Sequence, residues 1–370
     1  MLTFSLRRLL SIPPLVLVVS LLTFLLLKQA PGDFYSQMEA DPARSTTEVL
    51  RQKENAGLLI RLNRSELVAL GTFSDQGHEW KFEDTGEVRP QILKDGTVVN
   101  AKEASRSLLK FNVNSENYRC DDEAVVYRKV GAIEGFFSWL VNAMTLDFGI
   151  SYKFNRPVFG IIAERLLNTL TLSLAALLIA YGLGIPLGVF AAVKPNSRLD
   201  HSAGIIAFLG LSIPTVFFAL LAMLFASYTG LFPIGDMRSL DYDTFGFWGK
   251  ISDRAHHLIL PALVLGTSSM AGYMRQARGN MIEALSQDYV RTARAKGVSN
   301  NGVLFKHAFR NAVNPLVTLF GYSLASLLSG SLLVEIVMNW PGLGRLIFEA
   351  ISAKDEPFVL ARVLISPFLL

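Results

Sequence analysis

Apolar residues dominate six stretches of this chain: 9–27, 166–193, 203–228, 258–274, 312–338 and 358–370. Most reach or approach about 20 residues, the length at which a helix rising about 1.5 Å per residue crosses about 30 Å of hydrocarbon. The last stretch holds thirteen residues and as helix would extend only about 20 Å, so the sixth span is expected to be incomplete. Between the first and second stretches lies a polar segment, roughly residues 35–135. Within it, 41–70 sets Leu58, Leu59, Leu62, Leu67 and Leu70 among charges and predicts amphipathic helix. From 72 to 99 aromatic and β-branched residues are broken at Thr85-Gly86 and Asp95-Gly96, predicting short strands and turns. Residues 133–141 then predict an amphipathic helix leading back to the membrane, its aromatics suited to the interface. The pattern describes an all-α polytopic membrane protein of about six transmembrane helices, with a large mixed α/β insertion between helices 1 and 2.

Composition agrees: 51% of the 370 residues are hydrophobic and 18% charged, against about 25% charged in soluble chains. Mean hydropathy is +0.36. These values exclude a purely soluble enzyme. The net charge of +4 does not form one basic stripe, which argues against nucleic acid; the basic residues sit beside apolar segments, where topology explains them. With Arg7 and Arg8 inside, the next inside loop carries Lys194 and Arg198. The third inside segment carries Arg275, Arg278, Arg291, Arg294, Lys296, Lys306 and Arg310 against Glu283 and Asp288. The loop at 229–257, with Arg238, Lys250 and Arg254 against Asp236, Asp241, Asp243 and Asp253, then faces outside together with the insertion. The first stretch reads as an uncleaved helix, because it is about 19 residues long and no small-x-small cleavage site ends it. Cys120, the single cysteine, cannot form an intrachain disulfide and, placed outside, is expected to be open to impermeant thiol reagents.

Catalytic chemistry is not indicated. No P-loop and no nucleophile elbow occurs, so the chain is not itself an ATPase, and neither catalytic residues, cofactor nor metal site is expected. His256 and His257 are neighbours, about 100° apart on a helix, which suits capping or an interfacial place better than shared coordination. Glu335 is the main acid near a membrane end; it either pairs with a basic residue of another subunit or reaches headgroups. Gly182, Gly184, Pro186 and Gly188 either let a neighbouring helix approach closely or mark local irregularity. The inside segment at about 275–311 has more character. It places a short helix carrying small residues, Ala293 and Ala295, beside cations, then Gly297, which stops that helix. Such a surface suits docking into a groove on another protein; the plainer alternative is an anchor on lipid headgroups.

The run Asp288-Tyr289-Val290-Arg291-Thr292-Ala293-Arg294-Ala295-Lys296-Gly297 resembles the conserved cytoplasmic loop of binding-protein-dependent ABC importer permeases, specifically the B-type subunit of the dipeptide/oligopeptide/nickel group. Other matching runs are Ala30-Pro31-Gly32-Asp33, Asp147-Phe148-Gly149-Ile150-Ser151, Glu164-Arg165-Leu166-Leu167-Asn168-Thr169-Leu170, Ser212-Ile213-Pro214, Gly230-Leu231-Phe232-Pro233, His257-Leu258-Ile259-Leu260-Pro261-Ala262, Val334-Glu335 and Trp340-Pro341-Gly342-Leu343-Gly344. The resemblance implies a bacterial inner-membrane, multi-pass subunit with a cytoplasmic N-terminus. Its implied partners are a second homologous permease, two cytoplasmic ATPase subunits, an extracytoplasmic solute-binding protein and membrane lipid. Asp288, Tyr289, Arg291, Thr292, Ala293, Arg294, Ala295, Lys296 and Gly297 are implied to couple the spans to the ATPases. The implied organisation is a first span over 1–30, an extracytoplasmic insertion over 31–157 and a permease domain over 158–370. Peptides are the implied solute, with nickel or another solute as alternatives. An ion-coupled secondary transporter, the reading from another class, would carry central carboxylates or an inverted repeat.

Overall fold

The computed structural model describes residues 2–29, 32–41, 43–85, 90–114 and 116–369. Ala30, Pro31 and Gly86, and the side chains of Arg7 and Arg8, lie outside the described residues. The chain forms two compact units: Met1–Phe159 with Ala350–Leu364, and Gly160–Glu349 with Ile365–Leu370.

The first unit opens with α1 (Leu2–Gln29), α2 (Ser36–Glu39) and α3 (Thr46–Asn55). The segment expected to be helix over 41–70 is divided. Strand β1 (Leu59–Arg61) separates α3 from α4 (Arg64–Ala69), because Asn63 caps α4. Its side chain accepts from Glu66 N at 2.9 Å while Glu66 returns a bond to Asn63 N at 2.8 Å. The strand prediction agrees with the structure over 72–99: β2 (Thr72–Asp75), β3 (His78–Glu83), β4 (Gln91–Lys94) and β5 (Thr97–Val99) form an antiparallel meander. Asp95 and Gly96 both take positive φ, the geometry of a two-residue hairpin turn. After α5 (Ala101–Ser107), strands β6 (Lys110–Val113), β7 (Glu116–Cys120) and β8 (Val126–Lys129) join β1 in a second sheet, ordered β1-β8-β7-β6. The two sheets share a core in which Phe73 stacks on Phe111 at 5.1 Å and Phe111 on Tyr118 at 5.4 Å, beside buried Trp80 and Phe82. Cys120 belongs to that core and is fully buried, so the expected access to thiol reagents is corrected. Burial, with Asp121 and Asp122 nearby, pushes its thiol up to about 12.

Helix α6 (Ala132–Met144) takes the predicted amphipathic place. Phe136 meets Phe24 of α1 edge-on at 5.6 Å, and Ile133, Phe137, Val141 and Met144 are exposed on the other side.

The second unit contains most of the apolar chain. Its elements are α7 (Val158–Val193), α8 (Arg198–Ser212), α9 (Thr215–Thr229), α10 (Phe247–Ser286), α11 (Asp288–Ala295), a π-helical stretch Gly302–Phe309, α12 (Arg310–Ala312), α13 (Asn314–Gly330), α14 (Leu332–Val337) and most of α15 (Leu343–Ser352), while α16 (Glu356–Leu369) belongs largely to the first unit. Among the described residues, α7 and α10 are the helices long and apolar enough to cross a membrane by themselves. The expected continuous span over 203–228 is broken: α8 stops at Ser212 and Pro214 caps α9. Proline lacks an amide hydrogen and disfavours helix in the residue before it. The expected span over 312–338 is divided at Ser331 into α13 and α14, though the Ser331 amide still bonds Leu327 O at 3.1 Å and its carbonyl still accepts from Glu335 N at 2.9 Å.

Within the first unit, α16 returns to α1: Lys28 pairs with Glu356 at 2.7 Å and Leu360 packs with Phe24 and Phe136. Asp355, fully buried, accepts from the Ser151 hydroxyl and from the amides of Tyr152 and Lys153 at 3.2 and 3.3 Å. Native protein is expected to leave Cys120 unlabelled by maleimide over hours, with one thiol appearing only in denaturant. Rapid labelling without denaturant would contradict the burial.

Candidate functional site

The site begins with how α7 and α10 meet. A Cβ placed on Gly184 would lie 2.9 Å from Met270 O, and one on Gly188 would collide with Met274 O and come within 2.9 Å of Ala277 Cβ. From the opposite helix, a Cβ on Gly266 would lie 2.8 Å from Ala176 O. Glycine therefore lets backbone approach backbone at three levels, the device that holds helices together where no water drives them. The close-approach reading of Gly184 and Gly188 holds; Gly182, with nothing within 4 Å of such a Cβ, takes no part.

This contact continues past the apolar span. Helix α10 runs 40 residues, about 60 Å, twice the hydrocarbon thickness. Its final turns, with Met281 and Ala284, join Val189 and Ala192 of α7 in a cluster that receives Val290 and Ala293 of α11. The other residues of α11 point away: Asp288, Tyr289, Arg291, Thr292, Arg294 and Ala295 are exposed, as are Lys296 and Gly297 beyond it. Ala293, expected on the exposed small surface with Ala295, is instead buried as part of the anchor. The reason is helical spacing: Val290 and Ala293 are three apart and share a face. The end of α11 is closed by a Schellman motif. Gly297 N bonds Arg294 O at 3.0 Å and Val298 N bonds Ala293 O at 3.2 Å, with Gly297 at φ +78°. What results is a short cationic helix held rigidly at the end of the two longest helices.

Glu335 lies elsewhere and makes different contacts. It is fully buried, which corrects both the headgroup reading and pairing with another subunit. Its carboxylate accepts from the Thr169 hydroxyl at 2.8 Å, the Ser331 hydroxyl at 2.8 Å and Arg345 N at 3.0 Å. Thr169 Oγ1 accepts in turn from Leu343 N at 2.7 Å. One residue earlier, Asn168 donates to Pro341 O at 2.8 Å and its carbonyl accepts from the Trp340 indole at 3.2 Å. The carboxylate thus satisfies the turn at 340–345 and pins it to α7. A side chain on Gly342 would occupy the carboxylate's own space. Thr169 was not singled out from sequence; one hydroxyl among Thr169, Thr171 and Ser173 in an apolar run gives no signal until its acceptor is known.

With this geometry in hand, similarity to known proteins decides the family. The family described as binding-protein-dependent transport system inner membrane component matches residues 184–370, half of the chain. The oligopeptide transport system permease protein AppB of Bacillus subtilis is 42% identical over 236 residues, 63% of this chain and 73% of that protein. The dipeptide transport system permease protein DppB of Escherichia coli is 39% identical over 62% of this chain and 73% of its own length. The chain belongs to this family. The glutathione transport system permease protein GsiC of Escherichia coli is 38% identical over 62% of this chain and 71% of its own. A solved chain of the MetNI methionine ABC transporter, inward facing, aligns with 56% of this chain and 91% of that one at a TM-score of 0.43 and 16% identity.

The part matched by the binding-protein-dependent family contains α11, Glu335 and one ion pair that sequence reading missed. Arg278 on α10 grips Asp200 of α8 with two bonds, Nε–Oδ1 at 2.6 Å and Nη2–Oδ2 at 2.7 Å. Asn196 N adds a third at 2.9 Å. Arg278 is thereby engaged in holding α8 rather than standing as a free topogenic charge. The guanidinium and the Asn196 amide hold the Asp200 carboxyl down at about 2. His257, in the first half of α10, contacts Ser239 Oγ at 3.2 Å and the carbonyls of Gly235 and Asp236 at 3.1 and 3.2 Å, tying the preceding loop to the helix.

Thr169→Val leaves the Glu335 carboxylate and the Leu343 amide each short of a partner, at about 1–3 kcal/mol per buried group. The variant should unfold in detergent with a loss of about 2–4 kcal/mol, while Thr169→Ser stays within about 1 kcal/mol; equal melting of Thr169→Val and the parent protein would refute the lock. For Asp200 the folded pKa is depressed, so its contribution is complete above about pH 4 and disappears as pH falls toward about 2. Solvent at the half-exposed Arg278 limits it to about 1 kcal/mol. Asp200→Asn should abolish this part of the acid dependence; identical profiles would show that the pair stabilises nothing.

Proposed function

We propose that this chain is a membrane-spanning permease subunit of an ATP-driven importer that takes up short peptides delivered by an extracytoplasmic binding protein. The observation that carries the reading is α11, whose cationic outer face is mounted through Val290 and Ala293 on the ends of α7 and α10. A helix so mounted transmits force: a partner that pulls on it moves both long helices. ATPase subunits are the natural source of that force, and their closure and opening would switch a two-state assembly between its two arrangements of the spans. Asp288, Tyr289, Arg291, Thr292, Arg294, Ala295, Lys296 and Gly297 then form the coupling surface, and Ala293 acts beneath it. The N-terminus and α11 lie on the cytoplasmic side, the insertion over 31–157 outside, and 158–370 carries the transport path together with a second, homologous permease. Peptides as solute follow from relatives named for oligopeptide, dipeptide and glutathione transport.

The complex reconstituted with its partner permease, ATPases and binding protein should hydrolyse ATP faster when the binding protein carries a di- or tripeptide. Ala295→Asp, on the exposed face, and Gly297→Val, which forces a branched side chain into positive φ, should lower peptide uptake at least tenfold with membrane insertion intact. Ala293→Asp, by contrast, should reduce the amount of folded protein. Normal uptake by both Ala295→Asp and Gly297→Val would remove the coupling assignment.

A further inference from the structure

The insertion holds a cavity that the transport reading does not use. Its volume is about 290 Å³, at the small end of the range that accepts small ligands. It lies between the two sheets. Arg61 of β1 and Val126 of β8 line it from one sheet, and Gln91 and Ile92 of β4 with Val98 and Val99 of β5 from the other. Leu67, Phe82, Ile92 and Val126 on this lining are buried core side chains, so the cavity reaches into the apolar interior of the insertion. Apolar surface in such a place gains free energy when a ligand covers it.

Polar groups without partners stand on the same lining. The exposed Arg61 guanidinium makes no ion pair and no hydrogen bond among the described residues, whereas Arg64, also on the lining, is paired with Asp84. The Gln91 carboxamide is likewise unengaged among the described residues. Main chain adds a third element. Strand β1 is the outermost of its sheet. Val130 N bonds Leu58 O and Leu62 N bonds Val126 O, so residues 58, 60 and 62 turn their polar backbone toward β8. In an antiparallel pair the alternate residues face the other way. The N–H and C=O of Arg61 are therefore unpaired at an open strand edge.

These groups together match one class of ligand. A guanidinium takes a carboxylate in two parallel bonds, an open strand edge takes peptide N–H and C=O, and the apolar interior takes a side chain. A fatty acid would leave the strand edge and Gln91 without partners, and an inorganic anion would leave the apolar interior uncovered. We propose that this cavity binds the C-terminal end of a short, extended peptide. The terminal carboxylate sits on Arg61, the last peptide groups run along the β1 edge beside Gln91, and an apolar C-terminal side chain enters among Leu67, Phe82 and Ile92. The proposal rests on the importer reading above, which supplies peptide as the solute. It adds a peptide site on the permease itself, separate from that of the binding protein.

The test uses the full complex with its partner permease and ATPases in nanodiscs, without binding protein. Binding of tritiated alanyl-alanyl-phenylalanine is followed by equilibrium dialysis, and one saturable site is expected. The C-terminal amide of the same peptide should bind at least tenfold more weakly. Arg61→Ala should weaken the acid at least tenfold yet bind the amide as the parent does. Trialanine should bind severalfold more weakly than the phenylalanyl peptide to parent and variant alike. Cys120 staying closed to maleimide certifies that the insertion of Arg61→Ala is folded. Equal affinity of parent and Arg61→Ala for the acid would overturn the proposal, because the peptide would then sit elsewhere in the complex. Decanoate binding as tightly as the peptide, and lost equally in Arg61→Ala, would assign the cavity to fatty acids and overturn it as well. Absence of peptide binding in a complex that loaded binding protein still stimulates would overturn this inference alone. A complex unresponsive to any loaded binding protein would refute the importer reading, and with it the inference that rests on it.

Discussion

The second unit depends on α7 and α10 lying backbone against backbone. Lipid chains are as apolar as leucine, so two helices in a membrane gain nothing from hiding apolar surface and must win by packing. Gly184 and Gly188 on one side and Gly266 on the other leave room for carbonyls at distances no Cβ would tolerate. Because α10 extends beyond its apolar stretch alongside the end of α7, the same contact that holds the bundle also builds the stage for α11. Val290 and Ala293 dock on the residues that follow the glycine contacts. A movement of α11 is therefore a movement of the two longest helices.

Polar groups occupy the places where this packing ends. Asp200 and Arg278 neutralise each other where α8 starts beside α10, beyond the apolar span. Glu335 answers a different problem, the exposed amides and hydroxyls of a tight turn that must be buried. One carboxylate with several lone pairs satisfies Thr169, Ser331 and Arg345 N together. Its contacts assign Glu335 to architecture. In the first unit Asp355 does the same for the loop at 151–153. Glu335, which looks functional by position, is thus structural by contact, as Asp355 is.

Much of this was legible from the chain. Apolar runs announced the long helices, since length and hydropathy are local properties. Gly297 announced the end of α11, because only a residue at ease with positive φ closes a helix in that way. The Asp95-Gly96 turn and the strands over 72–99 were legible for the same local reason. Proline at 214 sat inside a run that looked continuous, and hydropathy outweighed a backbone effect that in the event divided the helix. Ala293 was misplaced because small size marks a residue for an interface without saying which one.

Sequence by itself determined the class of protein, the position and end of the cationic helix, and the residues that identify its family, all of which follow from composition, period and contiguous motifs. Tertiary structure decided what each polar residue does. The partner of Glu335 lies 166 positions away in Thr169, and that of Arg278 lies 78 away in Asp200. It also decided that Asp253 turns toward Ser239 and His257. Hydrogen bonds and ion pairs act over about 3 Å, and which groups come within that reach is settled by the packing of whole helices, which no local stretch of sequence records.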